Sequence, residues 1–238
     1  MSLKKFSVAM VALLAIGGVL ANSASATVNT TAAKFFVEGA ELTGSKTLTG
    51  SAVTNSVFEF EIGSIPIKLQ STAFSCSGCK IENKEVTGKA GKVAFGEGKI
   101  VFENVTIAAG SGCTATVKGD TGVVGTVPTK PLFIHGDFMD ANTANKHAFL
   151  QFFPQTGTTF AQFELLLGTC PPGVYKLTGS VFGEATRNTG EDAVRQELVF
   201  SPTVQGTAGG GLGLGTKIAN FSGTGAFELS TSQIFNIH

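Results

Sequence analysis

Three apolar runs follow one another between His147 and Glu184: HAFLQFF at 147–153, FAQFELLL at 160–167 and VYKLTGSVF at 174–182. Each has strand length and is rich in the aromatic and β-branched residues that suit a pleated surface. Pro154-Gln155-Thr156-Gly157-Thr158 separates the first two, with a glycine where a turn needs positive φ. Cys170-Pro171-Pro172-Gly173 separates the second from the third, and neither helix nor strand runs through two consecutive prolines. The stretch reads as three consecutive strands, the inner sheet of a β-rich domain.

Working outward, the same grammar recurs. In Val57-Phe58-Glu59-Phe60-Glu61-Ile62 the apolar Phe58, Phe60 and Ile62 alternate with Glu59 and Glu61, the period of a half-buried antiparallel strand. Further runs at 34–37, 42–48, 65–69, 81–86, 92–95, 100–107, 114–117, 123–127, 132–134, 194–200, 217–221 and 226–235 read as strands. Glycines punctuate them: Gly96-Glu97-Gly98 reads as a joint, and Gly209 to Gly215 as a flexible loop. Pro202 closes the strand before that loop. No segment after residue 26 carries a helical period. The figure Leu-Thr-Gly-Ser occurs at 42–45, 48–51 and 177–180, with Phe221-Ser222-Gly223-Thr224 as a variant. Its irregular spacing is not that of a solenoid, and its glycines read as bends in long strands. The expected fold is all-β: an antiparallel sandwich or flattened barrel.

The beginning of the chain reads as an export signal. Lys4 and Lys5 precede an apolar run from Val8 to Leu20, and Ala24-Ser25-Ala26 has the small residues of a cleavage site. Residues 1–26 are therefore expected to be removed, leaving 27–238 as one β domain or two interlocked ones near 27–118 and 119–238. No later run is long enough for a transmembrane helix. Lys and Arg together number 17, as do Asp and Glu, and the leader holds two lysines and no acid, so the remainder has a net charge of −2. A near-neutral surface argues against nucleic acid as a partner and gives no attraction to anionic lipid. The expected location is outside the cell or in its envelope, with an extracellular protein or cell-wall component as partner.

Four cysteines in an exported chain suggest two disulfides, with three possible pairings. Cys76-Ser77-Gly78-Cys79 is a C-x-x-C, but Lys80 to Val86 after it read as a strand or loop, not as the helix start that activates a redox thiol. A zinc site would want a second close pair, and Cys113 and Cys170 are far apart in sequence.

His135, Asp137 and Asp140 form the one cluster that mixes histidine with carboxylates, a candidate for metal binding or acid–base work. The plainer reading is a strand end running into a polar turn. Asp137, Asp140, Glu191 and Asp192 do not follow an EF-hand pattern. No G-x-S-x-G nucleophile elbow occurs, and the loop at 209–215 lacks the spacing of a dinucleotide-binding turn. No cofactor is called for. The chain has no Trp, one Tyr and 20 Phe, a poor supply of sugar-stacking platforms. Phe58, Phe60, Phe149, Phe153, Phe160 and Phe163 read as core. An outer-membrane barrel would want aromatic girdles, which the composition does not offer. A non-catalytic role, structural, adhesive or protein-binding, is the leading expectation. The alternative is a hydrolase built on scattered carboxylates or on His135 and Asp137.

Three segments carry a resemblance. Phe74 to Ile81, Gly112-Cys113-Thr114 through Pro128-Thr129-Lys130-Pro131-Leu132, and Cys170 through Val181 resemble a large group of uncharacterised exported β-rich proteins of high-GC soil actinobacteria. The likeness spans roughly residues 35–235 and implies a β-rich exported fold but no activity. Where such proteins place a Phe-x-Gly-Cys-Thr turn, this chain has Phe102-Glu103-Asn104-Val105-Thr106. The partner that the resemblance would give Cys79 is therefore missing, and Cys76 stands in. It implies the pairs Cys76–Cys79 and Cys113–Cys170.

Overall fold

The computed structural model describes residues 29–87, 91–138, 147–188 and 190–238; the export signal expected over 1–26 lies outside them. The described chain is all-β apart from one short helix. In order it forms β1 (Asn29–Ala32), β2 (Phe35–Val37), β3 (Ala40–Glu41), β4 (Lys46–Ala52), β5 (Ser56–Ile62), β6 (Ile65–Ser71) and β7 (Ala73–Glu85). Then come β8 (Lys92–Glu103), β9 (Thr106–Ile107), β10 (Thr116–Gly119), β11 (Thr126–Pro128), β12 (Leu132–Phe138), β13 (Ala148–Pro154), β14 (Thr159–Leu166) and β15 (Gly173–Ala185). The remainder is β16 (Arg195–Phe200), helix α1 (Pro202–Ala208), β17 (Gly211–Leu214), β18 (Lys217–Leu229) and β19 (Phe235–Ile237).

Eight strands close on themselves. The antiparallel ladder runs β15–β13–β12–β8–β7–β4–β18–β16 and returns to β15 through Glu184↔Val199 and Ala185↔Leu198. A barrel of eight strands leaves an interior just wide enough for side chains to fill. Here Ile81, Ile134, Leu150, Phe152, Leu198 and Phe227 fill it, all buried. Small residues make room for them. A Cβ on Gly136 would sit 2.7 Å from the Ala94 Cβ and 3.3 Å from a Leu150 methyl, so this inward position admits only glycine.

Below the ring the same strands open into a sandwich. One sheet runs β10–β14–β15–β17–β18–β5–β6–β9, and the lower part of β8 pairs with β7 and β11 to face it. Phe102 of β8 meets Phe58 of β5 and Phe221 of β18 across the core, with ring centroids 5.0 and 5.8 Å apart. Two long strands change partners partway, at a glycine. β15 leaves β14 and joins β13 around Gly179 (φ 111°), and β18 leaves β5 and joins β16 and β4 around Gly223 (φ 147°). Strands that switch sheets at bends are the usual way to turn a corner between packed sheets. Two of the recurrent Leu-Thr-Gly-Ser figures are thus bends. Gly50 instead lies inside β4 where a Cβ would approach a Phe74 ring at 2.9 Å, and Gly44 lies in the turn before β4.

Several glycine joints turn out not to interrupt strands. β8 runs unbroken through Gly96-Glu97-Gly98, and β18 through Gly223-Thr224-Gly225. The segment 202–208, expected to lack a helix, is α1. Ser201 caps it by accepting from the Val204 N–H, Pro202 sits where a missing N–H costs nothing, and Gly209 ends it with φ 71°. Part of the expected glycine loop is strand β17. Gln205 explains why the helix sits there. Its Nε2 donates to the Phe182 carbonyl (2.6 Å) and its Oε1 accepts from the Phe182 N–H (2.7 Å). The side-chain amide thus supplies the ladder partner that β15 lacks between β17 and β16.

A separate three-stranded sheet, β19–β2–β3, covers one end of the ring. Phe35, Phe235 and Ile237 point from it into the core.

Candidate functional site

β12 reads Leu-Phe-Ile-His-Gly-Asp-Phe, and alternation decides the site. Leu132, Ile134 and Gly136 face the interior, so Phe133 and His135 face outward; Asp137 shares their parity but is buried, 7% exposed, where β1 pairs with β12 at Ala32. The strand reaches Phe138, so His135 and Asp137 stand inside a central strand and not at the strand end expected from the sequence. Register then assembles the neighbours. His135 pairs with Phe95 of β8 on one side and Gln151 of β13 on the other, and Phe133 pairs with Glu97 and Phe153.

The result is a ladder of four rings on the outer wall. Phe95 and Phe133 lie 5.3 Å apart, Phe133 and Phe153 5.9 Å, His135 and Phe153 4.7 Å, and Phe95 and His135 5.5 Å. The tilted and edge-on angles are those that favour contact between aromatic quadrupoles. Lys84 Nζ stands 4.7 Å from the Phe95 centroid, a cation over the ring face. Phe133, His135 and Phe153 are half-buried, while Phe95 is buried. Charges frame the ladder: Lys80 pairs with Glu97 at 2.8 Å, and Lys84 approaches Glu82 at 3.8 Å. The Lys80 ammonium is held above its ordinary pKa of 10.5, first by the Glu97 hydrogen bond and then by that carboxylate's charge.

The structure brings His135 and Asp137 to one face of one strand and surrounds the imidazole with phenylalanines. Asp140 lies outside the described residues. His147 is engaged elsewhere, its Nδ1 2.6 Å from the Ala185 carbonyl oxygen and 3.7 Å from Glu184 Oε1. Glu191 and Asp192 accept from Asn188 and Asn236 and serve a turn. Among the described residues no three or more His, Cys, Asp or Glu side chains gather as metal ligands.

Both disulfides join the pairs implied by the resemblance. Cys113 and Cys170 have Cα atoms 4.9 Å apart, and Cys76 and Cys79 5.6 Å. The C-x-x-C lies within β7, spanning a bulge between Ser77 and Lys80. It does not open a helix. Cys79 is packed against Gly98, where a Cβ would meet its sulfur at 2.5 Å.

Of the phenylalanines expected in the core, Phe153 stands on the outer wall while its neighbour Phe152 enters the interior, and Phe149 is buried in a second, smaller cluster. Phe153 joins the outer ladder, and Phe149 is covered outside the ring by Phe182 and by Val204 and Ala208 of α1. The sequence signal was present in β12, where Phe133, His135 and Asp137 share a parity. Linking it to Phe95 and Phe153 required the register of two distant strands.

Apart from the apolar cluster under α1, the rest of the outer wall carries charges, with Glu184, Arg195, Glu197 and Glu228 on its strands. An apolar interior inside a charged wall is the reverse of an outer-membrane barrel. No helix among the described residues is long and apolar enough to cross a membrane. No protein family, curated protein or solved structure matches the chain.

Proposed function

We propose that this is an exported, non-catalytic β protein with a structural or adhesive role, which binds a protein or cell-wall partner through the outer face of β8, β12 and β13. The observation that carries the reading is the ring ladder of Phe95, Phe133, His135 and Phe153. It occupies outward positions that alternation would normally give to polar side chains. A cluster of aromatics within a polar rim is the composition of a protein-binding patch. The rim here is Lys80, Glu82, Lys84 and Glu97. Two disulfides suit an oxidising compartment.

The test is a pair of outward substitutions, Phe133→Ser and Phe153→Ser, in the full chain. Cell-wall fractions and culture supernatant are passed over immobilised wild type and double variant. The expected result is a specific partner retained by wild type and lost from a variant that unfolds at the same denaturant concentration. Recovery of free monomer alone from wild type, or equal retention by both, contradicts the reading. If His135→Ala and Asp137→Ala abolish turnover of a polymer substrate, the hydrolase reading replaces it.

A further inference from the structure

The small sheet β19–β2–β3 is attached to the ring in an unusual way. Its strands pair with one another, through Phe235↔Val37 and Ile237↔Phe35, and do not extend the ladder of the wall. Side-chain amides supply much of the attachment. Asn83 Oδ1 accepts from the Phe35 N–H at 2.8 Å, and its Nδ2 donates to the Phe35 carbonyl at 2.8 Å. Gln196 Nε2 donates to the Phe235 carbonyl at 2.6 Å. The isolated bridge Ala193↔Phe235 and the Gly190 N–H, which donates to the Ile237 carbonyl at 3.2 Å, add backbone contact. The arrangement carries a cost: Asn236 is 6% exposed, and its Oδ1 is buried with no hydrogen-bond partner among the described residues.

What the sheet covers is apolar. Phe35, Phe235 and Ile237 enter the mouth of the ring above Leu150, Phe152 and Phe227. A void of about 20 Å³ remains between the two sets. Among the described residues, Gln196 is the one polar side chain lining it. A space this apolar stays dry, because a buried water needs two or more polar partners. With Phe35, Phe235 and Ile237 in place the ring is filled by its own chain; eight-stranded barrels emptied of such side chains are the size that holds one small ligand.

We propose that β19 is an internal plug occupying an apolar cup, and that its displacement admits one slender aliphatic ligand with an oxygen acceptor at its head: a straight-chain fatty acid. Phe235 and Ile237 take the place of the acyl chain, and the Phe235 carbonyl takes the place of the carboxylate. When β19 swings out, Gln196 Nε2 loses its short acceptor while still facing the cup, and a carboxylate oxygen restores that bond. The orphaned Asn236 Oδ1 gains water on release, which offsets part of the lost burial. The inference is independent of the outer ring ladder, which lies on the opposite side of the wall.

Dodecanoate below its micelle concentration is the probe. Calorimetric titration compares the full wild-type chain with the double variant Phe235→Ala, Ile237→Ala. The expected result is one site per chain, at least about tenfold tighter in the variant because the plug no longer competes for the cup. Adding Gln196→Leu should weaken the variant's binding several-fold. In wild type, saturating dodecanoate should speed amide exchange at Lys34, Glu38, Phe235 and His238, whose N–H groups hold the small sheet. A folded double variant that binds no tighter than wild type overturns the proposal. So does a wild type whose amides at these four positions exchange no faster with dodecanoate, and this measurement decides the matter if the variant does not fold.

Discussion

The ring and the sandwich beneath it are built from the same strands but are closed by different means. The ring closes through its ladder: β16 pairs with β15 and β18, and every wall strand finds two neighbours. The lower sheet ends at β9 and β10, which do not pair. An irregular segment bridges the gap. Ala108 and Gly112 donate to the Lys68 and Pro66 carbonyls on the β6 side, and Thr169 and Cys170 donate to the Thr114 carbonyl on the β14–β15 side. Cys113–Cys170 fixes that bridge covalently. The lesson is that the sulfur link sits where hydrogen bonds fail to complete the circle.

The largest effect expected from breaking this contrast is therefore in the lower half. Cys113→Ala with Cys170→Ala removes a crosslink over a separation of 57 residues. On the chain-entropy model that costs about 4 kcal/mol. The Cys76–Cys79 link spans a separation of 3 and lies inside a strand pair that is already hydrogen-bonded. Its removal should cost about 1.9 kcal/mol on the same model. Urea unfolding of the two double variants checks the order, and equal losses would erase the distinction.

A smaller effect tests the junction between the two parts. Gln205→Leu keeps the bulk that packs near Phe182 but deletes both amide bonds to its backbone. Leaving a buried N–H and C=O unpaired should cost about 2–4 kcal/mol if both stay dry and less if water enters. Thermal unfolding measures it. A variant as stable as wild type would mean that α1 is not needed to complete β15.

The smallest expected effect belongs to the outer wall. The raised pKa of Lys80 means that its charged form is favoured in the folded chain. That contribution is complete below 10.5 and is lost as pH rises through the higher folded value. Because the group is exposed, the effect is small and screened by salt. The stability difference between wild type and Lys80→Met should shrink as pH passes 10.5, and more visibly at low ionic strength. A difference that grows with pH would contradict the assignment.

Much of this architecture is legible from local pattern. Phe58 and Phe60 are buried, and Glu59 and Glu61 are not, as their alternation requires. Two kinds of feature are not legible. Glycine inside a strand and glycine between strands look alike in sequence, so β8 and β18 read as broken when their glycines instead admit bulky neighbours or allow a bend. The helix α1 is too short to show a period, although its cap residues Ser201, Pro202 and Gly209 mark both its ends. The second kind is cross-strand register, as the outer ring ladder illustrates. Phe152 and Phe153 are adjacent and equally apolar, and only register says which one enters the core. His135 and Asp137 are visible as a pair, but their phenylalanine surroundings come from β8 and β13.

The most direct test of the two-part account is amide hydrogen exchange on the Cys113→Ala, Cys170→Ala variant under native conditions. Exchange should accelerate over 108–115, β10 and β14, while β12, β13 and the upper half of β8 keep their wild-type protection. Uniform acceleration across all these strands, or none in the lower half, would contradict it.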